Sequence, residues 1–240
     1  MSLKYRWIIN SREIEENISL PTVRPSTWDA EACGEFINRS FQRGCIDANE
    51  LSRVLFPHSG YTGKDRVFIS HPHSCSNAAR KIKAFLSEKY DCFVDVDVWG
   101  QADYILQRIQ RMSGKLLSLQ KCNAWAAHMY LLLSGAIMEE IARSRIVIYI
   151  ESGSGDNDII HSPWLYFELS VVKELVAAGN AMLKEANMSA VRSPVMEYNI
   201  QHLTKEYTRI NAGYLLTLLE ESSPGTVELL ARLDNRMRGR

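Results

Sequence analysis

Apolar and polar positions change rhythm near residue 60. Before it, Pro21, Pro25 and Pro57 punctuate a mixed segment into which two short helices fit. In the first, Cys33, Ile37 and Phe41 recur every fourth residue behind a Ser26 or Thr27 cap. In the second, Asp47 caps a turn that carries Leu51, Val54 and Leu55 on one side. Residues 58–64 (HSGYTGK) read as a linker, because Gly and Ser favour turns. Beyond the linker, strand and helix patterns alternate. Val67-Phe68-Ile69 is short and continuously apolar, as in a strand buried on both faces of a parallel sheet. Ala78, Ile82, Phe85 and Leu86 share one face of a helix over 77–88. Residues 92–98 (CFVDVDV) read as a second strand, 104–142 as a long helical stretch, and 145–150 (RIVIYI) as a third strand. Pro163, suited to a first helical turn, opens a helix over 164–178. A weaker fourth strand over 195–200 and a late helix over 207–219 complete the pattern.

Strands joined by helices are most simply parallel neighbours with right-handed crossovers. The expected fold is therefore α/β, an open parallel sheet with helices on both faces. An N-terminal helical appendage and linker would occupy 1–63. The sheet domain would occupy 64–240, with a helical insertion at about 103–142 and a C-terminal helical extension. Ligands of such sheets collect beyond the carboxyl ends of the strands, which points to residues 70–76, 97–103 and 151–162.

Composition narrows the function classes. The 240 residues are 46% hydrophobic and 23% charged, which excludes disorder as the main state. Lys plus Arg number 28 and so do Asp plus Glu, so no basic surplus draws the chain to nucleic acid. Over 1–64 the two signs are again equally numerous. No apolar run approaches the roughly 20 residues of a membrane-spanning helix. The first residues, MSLKYR, lack the apolar stretch and small-residue cleavage site of a secretory signal. Cys33, Cys45, Cys75, Cys92 and Cys122 are scattered and odd in number, which argues against a disulfide framework and for a reducing, cytoplasmic setting.

The loops carry the candidate chemistry. Ser70-His71-Pro72-His73-Ser74-Cys75 has no glycine, and neither a P-loop nor a GxGxxG run occurs anywhere in the chain. His71, His73 and Cys75 are zinc-ligand types, but no second ligand cluster accompanies them, so no metal is expected. Asp95 and Asp97, two apart at a strand end, would point to one face, although Asp97 alone also fits a capping role. Trp164 and Glu168 are four apart, hence stacked on one face of the helix that Pro163 opens. A carboxylate so near the positive end of a helix is favoured in its ionised form. Spacing alone favours a solvated acid beside a half-buried tryptophan over a functional pair.

Four segments, taken together, resemble TIR (Toll/interleukin-1 receptor) domains. Arg66-Val67-Phe68-Ile69-Ser70-His71 is similar to their opening strand, and Phe93-Val94-Asp95 to their second. Residues 144–150 (SRIVIYI) resemble the strand that carries their S-x-x-x-V-V-x-S run. Ser162-Pro163-Trp164 through Glu168-Leu169 is similar to their S-x-W-x-x-x-E-L helix start. Order and register agree over roughly 65–178. The resemblance implies a flavodoxin-like sheet and, as in many bacterial and plant members, cleavage of NAD+. It makes Glu168 the catalytic residue. Trp164 would then wall the substrate site, and Ser70, His71, Asp97 and Trp99 would line the opposite side. The helical stretch over 104–142 is longer than the family usually carries, and Asp97-Val98-Trp99-Gly100-Gln101 lacks a clear counterpart.

The leading expectation is an NAD+ nucleosidase or cyclase, with NAD+ as substrate and no cofactor. A stand-alone bacterial TIR protein of this size resembles the signal-making component of antiphage systems. Its ADP-ribose-type product, linear, cyclic or conjugated, would act on a downstream effector. The resemblance also implies homo-oligomers through TIR–TIR contacts, and neither a nucleic-acid nor a membrane partner is expected. Two alternatives stand beside this reading. One is a non-catalytic TIR–TIR interaction module. The other is a nucleoside deoxyribosyltransferase-like enzyme with glutamate as nucleophile, which the Ser-x-Trp start at Ser162 disfavours.

Overall fold

The computed structural model describes residues 5–18, 30–43, 45–55, 64–112, 118–152, 159–160, 162–178, 198–199, 201–205, 207–213 and 215. Two compact units divide the chain. The first gathers Met1–Val23, Gly63–Val94 and Glu140–Arg240, and the second Arg24–Thr62 and Asp95–Glu139.

The first unit is α/β. It opens with strand β1 (Tyr5–Asn10), which runs into helix α1 (Ser11–Asn17). The Asn10 side chain caps that helix by accepting the Arg12 N–H at 2.9 Å. The second unit follows with α2 (Ala30–Arg43) and α3 (Ala48–Leu55). The chain returns to the first as β2 (Arg66–Ser70), a 3₁₀ turn (His73–Cys75), α4 (Ser76–Leu86) and β3 (Asp91–Val94). Helix α5 (Val96–Met112) and most of α6 (Leu119–Arg143) belong to the second unit. Strand β4 (Ile146–Glu151), the short β5 (Ile159–Ile160) and α7 (Pro163–Ala178) come next. They are followed by β6 (Tyr198–Asn199), α8 (Gln201–Thr204) and β7 (Thr208–Arg209).

The sheet order is β3-β2-β4-β1-β7, with every neighbouring pair parallel. Val67, Phe68 and Ile69 are wholly buried and Ile146 to Ile150 nearly so, as the unbroken apolar runs demand of strands covered on both faces. Burying each such side chain contributes about 1.5–3 kcal/mol. On one face Phe68 and Phe93, register partners, stack at 5.6 Å.

Here the structure corrects the helical appendage expected over 1–63. Residues 5–10 are a sheet strand, paired along their whole length with β4 from Tyr5↔Ile146 to Asn10↔Glu151. The physical reason lies in Trp7, Ile8 and Ile9, all buried, which form an apolar run as short and continuous as that of β2. The late helix expected over 207–219 is corrected at its start: Thr208 and Arg209 pair with Trp7 and Ile8 as the edge strand β7, helical residues begin at Ala212, and 214 and 216–219 lie outside the described residues. The fourth strand expected over 195–200 reduces to β6, which pairs antiparallel with β5 in a separate two-stranded ribbon.

In this order the N-terminal strand β1 lies beside β4, inside the edge strand β7. From β2 the chain crosses to one side, towards β3, and from β4 to the other, towards β7. Right-handed crossovers then put α4 and α7 on opposite faces. The adjacent strands β2 and β4 thus leave in opposite directions, the arrangement that opens a crevice at their carboxyl ends.

In the second unit, α2 and α3 pack against α5. Phe36 and Ile37 of α2, Leu51 of α3, and Ile105 and Ile109 of α5 are buried. Asp47 caps α3, its Oδ1 accepting the N–H groups of Asn49 at 2.8 Å and Glu50 at 3.1 Å. Ser26, Thr27 and linker residues 58–63 lie outside the described residues. The helical stretch expected over 104–142 is two helices, the first of which starts at Val96. Along α6, Met129, Leu133, Ile137 and Ile141 recur every fourth residue and are buried, while Tyr130, Leu131 and Met138 are exposed. Among the described residues, no helix is long and apolar enough to cross a membrane.

Candidate functional site

The site is built where β2 ends and α7 begins. The Ser162 Oγ accepts the Leu165 N–H at 3.2 Å and so caps α7, with Pro163 in the first helical position. That start fixes the phase of the helix. Leu165, Leu169 and Val172 turn inward, and Glu168, 1% exposed, turns inward among them. A carboxylate in such an apolar stripe is costly unless a polar partner meets it. The partner is Ser70, the last residue of β2 and itself wholly buried, whose Oγ donates to Glu168 Oε2 at 2.6 Å. That length belongs to charge-assisted O–H···O bonds, which run at about 2.5–2.7 Å. Two segments 98 residues apart are joined by this bond.

Register identifies the rest of this sheet face. Ser70 pairs with Tyr149, Tyr149 with Ile8 and Ile8 with Arg209, so their side chains form one row on the face that α7 covers. Tyr149 is buried. Glu151, two residues on, is also buried, and Arg209 forms an ion pair with it. One step towards the amino ends lies Tyr207, nine-tenths buried, with the Arg6 guanidinium 5.9 Å from its ring centroid. Burial pushes the Tyr207 phenol well above the usual tyrosine range; Arg6 opposes the shift, and the charges of Glu168 and Tyr149 add to it. The phenol thus remains a donor throughout the physiological range.

Of the residues expected to form a site, Ser70 and Glu168 are in direct contact. His71 follows Ser70 and is buried at the mouth of β2. Trp164 is half-buried one turn before Glu168, its ring 5.5 Å from that of Phe167. Asp97 and Trp99, expected on a loop, instead lie at the start of α5 in the second unit. The strand ends at Val94, so Asp95 and Asp97 are not alternate residues of one strand; Asp95 occupies a turn and is buried. Val96 and Val98 are weak helix formers, and tertiary context overrides that propensity here.

His73 is exposed, and Cys75 is buried in the 3₁₀ turn. Among the described residues, no group of three His, Cys, Asp or Glu side chains is gathered. Tyr207, Arg6 and the Glu151–Arg209 pair were not expected from the sequence. No local pattern marks them, because their positions follow from the β1–β7 pairing alone. No family model, curated protein or solved structure matches this chain.

Proposed function

We propose that the protein is a TIR-type NAD+ nucleosidase with a flavodoxin-like frame in which the N-terminal strand takes the fourth position. It cleaves the nicotinamide–ribose bond of NAD+ to release nicotinamide and an ADP-ribose-type product. The observation that carries the reading is the buried Glu168 carboxylate, held by Ser70 at 2.6 Å at the carboxyl end of β2. Position and partner both suit the chemistry. Nicotinamide leaves a cationic pyridinium as a neutral base, so no general acid is needed, unlike ordinary glycoside hydrolysis with its two carboxylates. One carboxylate then orients the ribose hydroxyls and stabilises the oxocarbenium-like charge that develops at the anomeric carbon. Ser70 fixes the carboxylate rotamer, so little reorganisation accompanies the reaction. The apolar neighbours Leu165 and Leu169 limit water around it. A signalling role in bacterial antiphage defence, through an effector that senses the product, rests on the motif resemblance.

The test is incubation of purified protein with NAD+ at high protein concentration, with nicotinamide release followed by chromatography. Wild type is expected to release nicotinamide and Glu168→Gln to release none above background. Equal release by the two proteins would remove Glu168 from the chemistry. A second reading, a self-assembling module, is favoured by the exposed Tyr130, Leu131 and Met138 of α6. Light scattering of wild type and Leu131→Glu tests it, with smaller particles expected for the variant.

A further inference from the structure

Tyr207 takes no part in the chemistry just described, yet its setting is unusual. Its hydroxyl is buried and has no hydrogen-bond partner among the described residues, whereas nearly all buried polar side-chain atoms are paired. The ring is nonetheless firmly placed. The Tyr207 backbone N–H donates to the Thr204 carbonyl at 2.8 Å, the next residue pairs with Trp7, and the Ile210 N–H donates to the Ile8 carbonyl at 2.9 Å. Arg6 covers the ring, and α8, just upstream, packs against α7, the helix that carries Glu168. The fold therefore fixes a donor on the Glu168 face of the sheet and leaves its hydrogen unused.

We infer that the Tyr207 hydroxyl is a substrate-binding group, a fixed donor that holds a sugar hydroxyl of the ligand on the sheet face that also carries Glu168. The inference deepens the nucleosidase reading and rests on it for the identity of the substrate. Its chemistry follows from the two protein groups. Tyr207 offers a hydrogen, and the Glu168 carboxylate accepts one. A ligand that satisfies both must carry an acceptor for Tyr207 and a donor for Glu168, which a set of sugar hydroxyls does. A phosphate can only accept, and it would bring negative charge beside a buried carboxylate. An ammonium can only donate. A ribose diol is the class that fits.

Tyr207→Phe tests this, with three readouts. For the ligand-free variant, a melting temperature equal to or above that of wild type is expected, because no internal hydrogen bond is lost. In NAD+ cleavage, KM should rise roughly tenfold with kcat little changed, the signature of a lost binding contact. Calorimetry with ADP-ribose, which keeps both riboses but has no bond to cleave, should show a similar loss of affinity. A lower melting temperature with unchanged KM would make Tyr207 structural and overturn the inference. If wild type cleaves no NAD+, the nucleosidase reading fails, and ADP-ribose binding alone decides the inference. Weaker binding by Tyr207→Phe then sustains it; equal binding by both proteins, or none by wild type, overturns it.

Discussion

The two ends of the central sheet handle charge differently. At the amino end, Arg66 donates to Asp91 at 2.9 Å and to Glu140 at 2.9 Å, and Arg145 donates to both oxygens of Asp65 at 3.1 Å. These side chains are mostly buried, and each lies at or just before the start of β2, β3 or β4 or, for Glu140, near the end of α6. Charges of opposite sign are matched there, and the strands are tied together where they enter the sheet. At the carboxyl end, the buried Glu151 still has a cation in Arg209, but the buried Glu168 is met by a neutral hydroxyl, that of Ser70. Polar capacity at the first end serves the fold, whereas at the second the proposed function assigns part of it to a ligand. Sites of this kind are commonly bought with stability, since groups arranged for a ligand are not arranged for one another.

The comparison makes crossed predictions. The largest effect belongs to Glu168→Gln, which should lower NAD+ turnover by on the order of 10³ or more, about 4 kcal/mol of transition-state stabilisation. Its melting temperature should stay near that of wild type, because the amide still accepts from Ser70. A variant that lost stability in step with activity would mean that Glu168 serves the fold, and the contrast between the ends would collapse. Arg66→Met should do the reverse. Removing the guanidinium takes the Arg66 cation away from the half-buried Asp91 and the buried Glu140, a loss of about 3 kcal/mol measurable by urea unfolding. Turnover per folded molecule should not change. A drop in turnover would couple the two ends.

Much of this sheet is legible in the sequence, and its β1–β7 side is not. β2, β4 and α7 follow from local signals: an apolar run, a β-branched run, and a proline behind a serine cap. β1 carries a comparable signal in Trp7-Ile8-Ile9, but its main partner, β4, lies some 140 residues downstream, so nothing nearby marks it as part of the sheet. β7 is two residues long and is a strand only because β1 offers it an edge. The candidate site divides in the same way. The Trp-x-x-x-Glu spacing marks α7, and the strand-end position marks Ser70. Tyr207 has no such mark, since its place beside Arg6 depends on a pairing between the two ends of the chain. Asp95-Val96-Asp97-Val98 shows the opposite failure: an alternating strand pattern that enters a turn and a helix.

A smaller effect sharpens the contrast within the site. Ser70→Ala removes the hydrogen bond to Glu168 and leaves the carboxylate to choose its own rotamer. A charge-assisted bond of this kind contributes about 1.5–3 kcal/mol, so turnover should fall roughly tenfold to a hundredfold. Ser70→Thr, which keeps the hydroxyl, should recover part of it. A fall in the alanine variant with no recovery in the threonine one would assign the loss to packing at the β2 end and leave Glu168 without its positioning partner.

The smallest effect probes the closed end. Cys92 lies in the edge strand β3, beside Asp91, and burial pushes its thiol up to about 12; the neighbouring Lys83 charge opposes the shift, Asp91 adds to it, and the Ser87 hydrogen bond and Lys64 lower it. Only the thiolate attacks alkylating reagents, so at pH 8 Cys92 should react with iodoacetamide far more slowly than the exposed Cys45. The same shift gives stability a definite sign in alkali. Above about pH 9 an unfolded chain releases the Cys92 proton while the folded chain still holds it, so the unfolded state binds fewer protons and stability falls as pH rises. Between about pH 9 and 11, urea midpoints should therefore decline, and Cys92→Ala should flatten the decline. The buried Tyr207 phenol, shifted in the same direction, contributes a further fall that Tyr207→Phe removes. If Cys92 were alkylated as fast as Cys45, β3 would be open to solvent at pH 8, and the amino end would not be the sealed half of the sheet that its ion pairs describe.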